Sequence, residues 1–170
     1  MEFTPRGYRQ RAAVLQLCVG QDCLVYHIVC SADGVSSKFS QFLRNRQYKF
    51  ASFDISSDVV MLSQSEHILS IFNHIDIQRI RRDPDLDKTG KQGMKDVAGA
   101  LIDKSHKEMK GGITNADHQL WDKAPLSQKH LAYAAKDAYV SYELYKRLDF
   151  YERGWYKAHK NTEKKRFRQW

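Results

Sequence analysis

The chain contains no run of eighteen apolar residues and no charged-then-apolar leader, so neither a membrane-spanning helix nor a secretory signal is expected. Cysteine is scarce. Cys18, Cys23 and Cys30 form an odd set inside strand-like sequence, without His or Cys at zinc-finger spacing, and read as reduced core thiols of a cytosolic or nuclear protein. Internal repeats are lacking too. Gly90-Lys91-Gln92-Gly93 lacks the Ser or Thr and the glycine spacing of a phosphate-binding loop, so the polar stretch 83–93 reads as a solvated connection. What is present is an ordinary globular composition: 170 residues, 42% hydrophobic and 12% aromatic, enough for one domain with a sizeable core. Residues 1–159 are taken as that domain, and 160–170 as a basic tail without a core pattern, for which disorder or fraying is expected. The 28 Lys and Arg outweigh 20 acids to give a formal charge of +8, which favours a polyanionic partner, nucleic acid or an anionic membrane; the membrane competes weakly, because no basic amphipathic helix has a clean apolar face free of core duties.

Taken in order, Glu2-Phe3 is strand-like and closed by Pro5. Residues 11–19 and 23–29 are apolar runs around Gly20-Gln21-Asp22, a hairpin of buried strands. Ser36 or Ser37 can cap a helix carrying Phe39, Phe42 and Leu43, and 48–55 alternates as another strand. Ser56-Ser57 ahead of an acid and an apolar run marks a helix start, with Asp58 in its first turn just beyond a strand end. There an acid complements the helix dipole, worth about 0.3–1 kcal/mol. Residues 68–77 read as a further strand ending near Asp76, followed by Arg79, Arg81 and Arg82. Met94, Val97, Ala98, Leu101 and Ile102 fit an amphipathic helix. Trp121 reads as a core plug, and Ser127 as an N-cap. The sum is an α/β domain with a mixed sheet covered on both faces.

Residues 131–148 contain neither Gly nor Pro and are apolar over most of a helical circumference, so one buried helix is expected there. Asp137 interrupts its apolar face. Tyr133 stands four residues earlier, which places phenol and carboxylate one above the other. A carboxylate among Ala, Tyr and Val needs a partner, either a Lys or Arg from elsewhere or a bound divalent cation.

Glu2 on the first strand, Asp58 opening a helix after a later strand, and Tyr133-x-x-x-Asp137 on a late helix together resemble the DEDDy 3′–5′ exonucleases. That family has a ribonuclease H-like fold and includes ribonuclease D and the Werner-syndrome exonuclease domain. The run Arg11-Ala-Ala-Val-Leu-Gln-Leu-Cys-Val-Gly20, Asp58 followed by Leu62, and Leu126-Ser127 leading into Tyr133-Ala-Ala-Lys-Asp137-Ala-Tyr-Val-Ser141 are similar to the Werner-type group over about 1–151. The resemblance implies action at DNA or RNA 3′ ends, with two Mg²⁺ or Mn²⁺ ions activating water and stabilising the leaving oxygen. It implies Glu2, Asp58 and Asp137 as metal ligands and Tyr133 as the residue orienting the nucleophile. The family's first motif is Asp-x-Glu. Here Glu2 follows Met1, so three carboxylates carry over, and at most one weakly bound Mg²⁺ or Mn²⁺ is expected, with Glu2 and Asp137 as direct ligands. Asp22 lies in the hairpin turn, and Asp54 at a strand end could point either way. The alternative is a catalytically degenerate module that binds nucleic acid or another protein.

Overall fold

The computed structural model describes residues 1–5, 10–31, 34–65, 69–80, 93–108 and 112–166. The polar connection 83–92 and the last four residues lie outside the described residues. The hairpin forms as its sequence requires. Strand β2 (Ala12–Val19) pairs antiparallel with β3 (Asp22–His27) from Val14↔His27 to Val19↔Asp22, and Gly20, at φ 63°, takes the first position of the two-residue turn. Strand β1 (Glu2–Phe3) pairs antiparallel with the opposite edge of β2, through Glu2↔Val14 and Phe3↔Ala12. A second, parallel pair joins β4 (Phe50–Ser52) to β5 (His74–Asp76). The mixed sheet expected from sequence is therefore divided into a three-stranded antiparallel part and a two-stranded parallel part. With β1 only two residues long, no described strand bridges β2 and β4.

Both short parallel strands are briefer than their apolar runs. The run 48–55 loses its end to a turn at Phe53-Asp54, and 68–77 loses its end to the helix α3 (Ile77–Ile80). Helix α1 (Ser37–Arg44) starts after Ser36, and α2 (Ile55–Ser63) starts one residue before the two serines expected to open it. Helix α4 (Met94–Leu101) buries Val97 and Ala98, as its spacing requires.

The last helix, α5 (Gln128–Arg166), organises the rest. Ser127 precedes it, its Oγ accepting the His130 amide at 3.4 Å. The helix packs on β2, β3, β4 and α4. Its backbone continues to Arg166, past Lys160, where fraying was expected; Lys, Glu and Arg are good helix formers, and no proline interrupts them.

Helices cover both faces of the sheet region. On one, Leu43 of α1 and Leu62 of α2 pack with Leu15, Ile28 and Ile71. On the other, Trp121, Tyr133 and Ala134 pack against Ala13 and Val14, with Trp121 only 1% exposed. A third cluster joins Ile77, Val97 and Ala98 to Val140, Leu144 and Leu148 of α5. All three cysteines are free, as expected, but they are not core residues: Cys18 and Cys23 are half-buried, and Cys30 is exposed. Cys18 and Cys23 face each other across the hairpin, close to its turn. Burial, reinforced by Cys23, pushes the Cys18 thiol up to about 12, so it is not a nucleophile at neutral pH. Among the described residues no helix is long and apolar enough to cross a membrane.

Candidate active site

A cleft of about 1000 Å³ opens between the antiparallel and parallel parts of the sheet, and Glu2, Asp58, Tyr133 and Asp137 all line it. Three separate pieces of chain bring them there. Pairing with Val14 fixes Glu2, the first turn of α2 carries Asp58, and α5 presents Tyr133 and Asp137 one turn apart.

Asp58 is held in an unusual state. Its carboxyl is pushed up to about 6, first by burial and then by the negative charges of Asp54 and Asp76, with the Met1 ammonium pulling the other way. That ammonium stands 3.8 Å from Asp58 Oδ2. Asp54 answers the question its sequence left open: it lines the cleft. Its backbone sits at φ 55°, a left-handed conformation costing a non-glycine residue about 1 kcal/mol, least for Asp and Asn. The Asp54 amide donates to Asp76 Oδ1 at 3.3 Å, and the same oxygen accepts the Gln78 amide at 3.0 Å. Asp22 instead begins β3, opposite Val19.

Tyr133 donates its hydroxyl to Asp137, and its pKa is raised, by burial first and then by the charges of Asp137 and Glu2. The phenol therefore stays protonated and acts as a donor. This hydroxyl, on the same helix, is one partner of Asp137.

One contributor was invisible in the sequence. His118 lines the cleft, with Nδ1 3.8 Å from Glu2 Oε2, and it packs edge-on against Tyr133, ring centres 5.5 Å apart at 87°. The buried Trp121 donates its Nε1–H to His118 Nδ1 at 3.3 Å, which in the neutral ring leaves the proton on Nε2. His118 falls in a loop without periodicity, and only its distance of three residues from Trp121 could have drawn attention to it.

In chemistry the donors suit a hard divalent cation, since carboxylate oxygens are its preferred ligands and a cation among them would offset the burial and the neighbouring acids that keep Asp58 high. In geometry they share one cleft and not one tight sphere. Among the described residues no group of three His, Cys, Asp or Glu side chains is gathered closely enough to hold a metal ion.

A family model described as 3′–5′ exonuclease matches residues 1–150. The chain belongs to the 3′–5′ exonuclease family. The α/β architecture above is this family's ribonuclease H-like fold, and the matched span reaches from Glu2 through Asp137. A search of curated proteins gave no match. Among solved structures, an EXD2 exonuclease domain soaked in Mn is 17% identical, with 94% of this chain and 79% of that chain covered and a TM-score of 0.43. The EXD2 exonuclease domain without a soak is also 17% identical, with 95% and 79% covered and a TM-score of 0.42. A third, soaked in Mn and dGMP, is 16% identical, with 90% and 78% covered and a TM-score of 0.41.

Proposed function

We propose that the chain binds nucleic-acid 3′ ends in this cleft and hydrolyses the terminal phosphodiester with a divalent metal. The observation that carries the reading is the meeting of Glu2, Asp58, Tyr133 and Asp137 in one cleft of a chain whose family acts as 3′–5′ exonucleases. Glu2 and Asp137 would hold the metal directly, with Asp58 at its edge. When bound, Mg²⁺ or Mn²⁺ supplies a water activated near neutral pH and positive charge against the phosphate oxygens. The remaining work falls to the chain's own groups. Tyr133 holds its hydroxyl against Asp137 and, as a protonated phenol, orients a nucleophilic water by hydrogen bonding. Burial around Trp121 and Tyr133 keeps that geometry fixed.

The excess of basic residues supplies sequence-independent phosphate contacts. One surface fits this role. The Arg44 and Arg46 guanidiniums stand 5.1 and 5.8 Å from the centre of the Phe72 ring, which is 47% exposed, so cations and an aromatic face lie together as single-strand binding requires.

A second reading, a non-catalytic nucleic-acid-binding module, is favoured by the Tyr133 hydroxyl on Asp137, which gives that carboxylate a donor without a cation. One incubation separates them. With a recessed-3′-end duplex or a single strand and Mn²⁺, catalysis shortens the labelled strand from its 3′ end, and both EDTA and Asp137→Asn abolish the shortening. Unaltered substrate with a salt-sensitive gel shift establishes the second reading.

A further inference from the structure

His118 lines the cleft beside Glu2, and the proposed chemistry gives it no task. The loop that carries it is short and irregular, yet it is tied down from several sides. Asp117 accepts from the Thr114 amide and hydroxyl, each at 2.8 Å, and pairs with Lys129 of α5 at 2.6 Å. The Asp117 carbonyl accepts the Nε2–H of buried His130 at 3.0 Å, and the Trp121 carbonyl accepts the Nε2–H of His27, on β3, at 2.9 Å. The His118 amide itself donates to the Thr114 carbonyl at 3.1 Å. Bonds to both a helix and a strand hold the loop in one conformation, so the ring of His118 starts from a fixed backbone position.

The ring is oriented as well. The buried Trp121 has one polar side-chain atom, an indole N–H that can only donate, and it donates to His118 Nδ1 at 3.3 Å. The edge-on contact with Tyr133, ring centres 5.5 Å apart, sets the ring plane. With the Nδ1 lone pair taken, the neutral ring carries its proton on Nε2. Among the described residues that N–H meets no acceptor, while the side chain is 37% exposed and stands one ring width from the Glu2 carboxylate. A donor held rigid in a cleft and left unmade is suited to an oxygen that a ligand brings.

We propose that His118 is a phosphate-contacting residue of this site: its Nε2–H donates to a non-bridging oxygen of the terminal phosphodiester of a bound strand, and so sets where that phosphate lies against Glu2 and Asp137. This rests on the reading of the cleft as a seat for nucleic-acid 3′ ends. Acids alone repel the phosphate they face, and a basic surface such as that of Arg44 and Arg46 holds a strand without fixing its end. A neutral imidazole adds one directed contact. A lysine in its place would pair with Glu2 and compete with a cation for that carboxylate.

The test is a coupling cycle read by binding in EDTA, so it does not depend on turnover. One member is a short 5′-labelled oligothymidylate whose last linkage is either a phosphodiester or an uncharged methylphosphonate. The other is the full chain with His118 intact, with His118→Ala or with His118→Gln. Dissociation constants come from fluorescence anisotropy. The ratio of the methylphosphonate value to the phosphodiester value should be at least about threefold larger in the parent than in His118→Ala, the worth of one charge-assisted hydrogen bond in an open cleft. The acids act on both proteins alike and cancel from this comparison. His118→Gln, whose amide presents an N–H at similar reach, should restore most of the difference. Equal ratios in the parent and His118→Ala overturn the proposal, because an acceptor needed only by Trp121 would weaken both oligonucleotides alike. A parent that binds neither strand overturns it too. The same proteins are then given Mn²⁺ and the phosphodiester strand. A parent that shows the coupling but leaves the strand whole removes the nuclease reading and keeps His118 on the phosphate; a parent that shortens the strand without the coupling does the reverse.

Discussion

Asp117 and Asp58 are both largely withdrawn from solvent, and they are treated in opposite ways. Asp117, in the corner that leads into α5, is held by Lys129 at 2.6 Å and by the Thr114 amide and hydroxyl, each at 2.8 Å. The Lys129 contact first, and then the Thr114 bonds, hold its carboxyl well below the ordinary carboxylate range. Asp58, at the mouth of the cleft, is pushed up to about 6 by burial and by two further acids. The first arrangement satisfies a charge. The second leaves one in excess, with an ammonium 3.8 Å away as its cationic neighbour among the described residues. Both acids sit near chain turns in the first residues of a helical segment, so what separates structure from site is the company each acid keeps.

The largest effect that tests this contrast is on chemistry. Replacing Asp137 by Asn should reduce Mn²⁺-dependent shortening of a labelled 3′ end at least about 100-fold, since even supporting groups around a metal are worth 10–100-fold. The melting temperature should move by no more than a degree or two, because the amide can still accept from Tyr133. Next in size is the structural counterpart. Asp117→Ala strips Lys129 and Thr114 of their shared acceptor and should lower the urea midpoint of unfolding, with the half-exposed Lys129 limiting the loss. A loss of activity in this variant that exceeds its fraction unfolded would place Asp117 in the site and erase the distinction.

How much of this was legible follows from which forces act locally. The hairpin, α4 and the register of Tyr133 over Asp137 depend on spacing within one segment, and spacing is what a sequence displays. The start of α2 was missed by one residue, because Asp54 enters the left-handed region and the helix begins directly after it. The two parallel strands were expected to be eight and ten residues and are three each: a turn at Phe53-Asp54 ends the first, and in the second Ile77 joins α3 while 69–73 form bends and irregular chain, since an apolar run does not by itself mark where pairing begins. Around the site, Asp58 could be placed by its helix start, but the influence of Asp54, Asp76 and His118 on it and on Glu2 is tertiary. No pattern along the chain joins residues 2, 58 and 118.

A pH experiment sharpens the same comparison at smaller scale. For Asp58 the folded value, about 6, lies above the ordinary 3.8, so between these limits the native state binds more protons than the unfolded chain. Its contribution to stability therefore falls as pH rises from about 4 to about 6, and stays low above that. Asp117 has the opposite sign: its lowered value means stability present above about 4 and lost as pH falls below. Asp58→Asn should flatten the segment between pH 4 and 6 and raise stability at pH 7 by about 1–3 kcal/mol, while leaving the acid limb unchanged. Urea midpoints from pH 3 to 8 check both limbs. An Asp58→Asn variant less stable than the parent at pH 7 would mean that the Met1 contact outweighs the crowding.

The smallest expected effect concerns the one hydroxyl that joins the two kinds of environment. Tyr133 has its ring in the cluster of Trp121, Ala134 and Val14, where it is only 7% exposed, and its hydroxyl on Asp137. Tyr133→Phe keeps the ring and removes the hydrogen bond, so packing against Trp121 and His118 is retained. Stability should drop by about 1 kcal/mol or less, the net worth of one hydrogen bond with the cleft open to water beside it. If the phenol orients the nucleophile, the rate should fall about tenfold with little change in the Mn²⁺ concentration needed for half-activity, because the carboxylates are untouched. A Mn²⁺ requirement that rises in step with the loss of rate would assign the hydroxyl a different task, that of holding Asp137 in position to meet the metal.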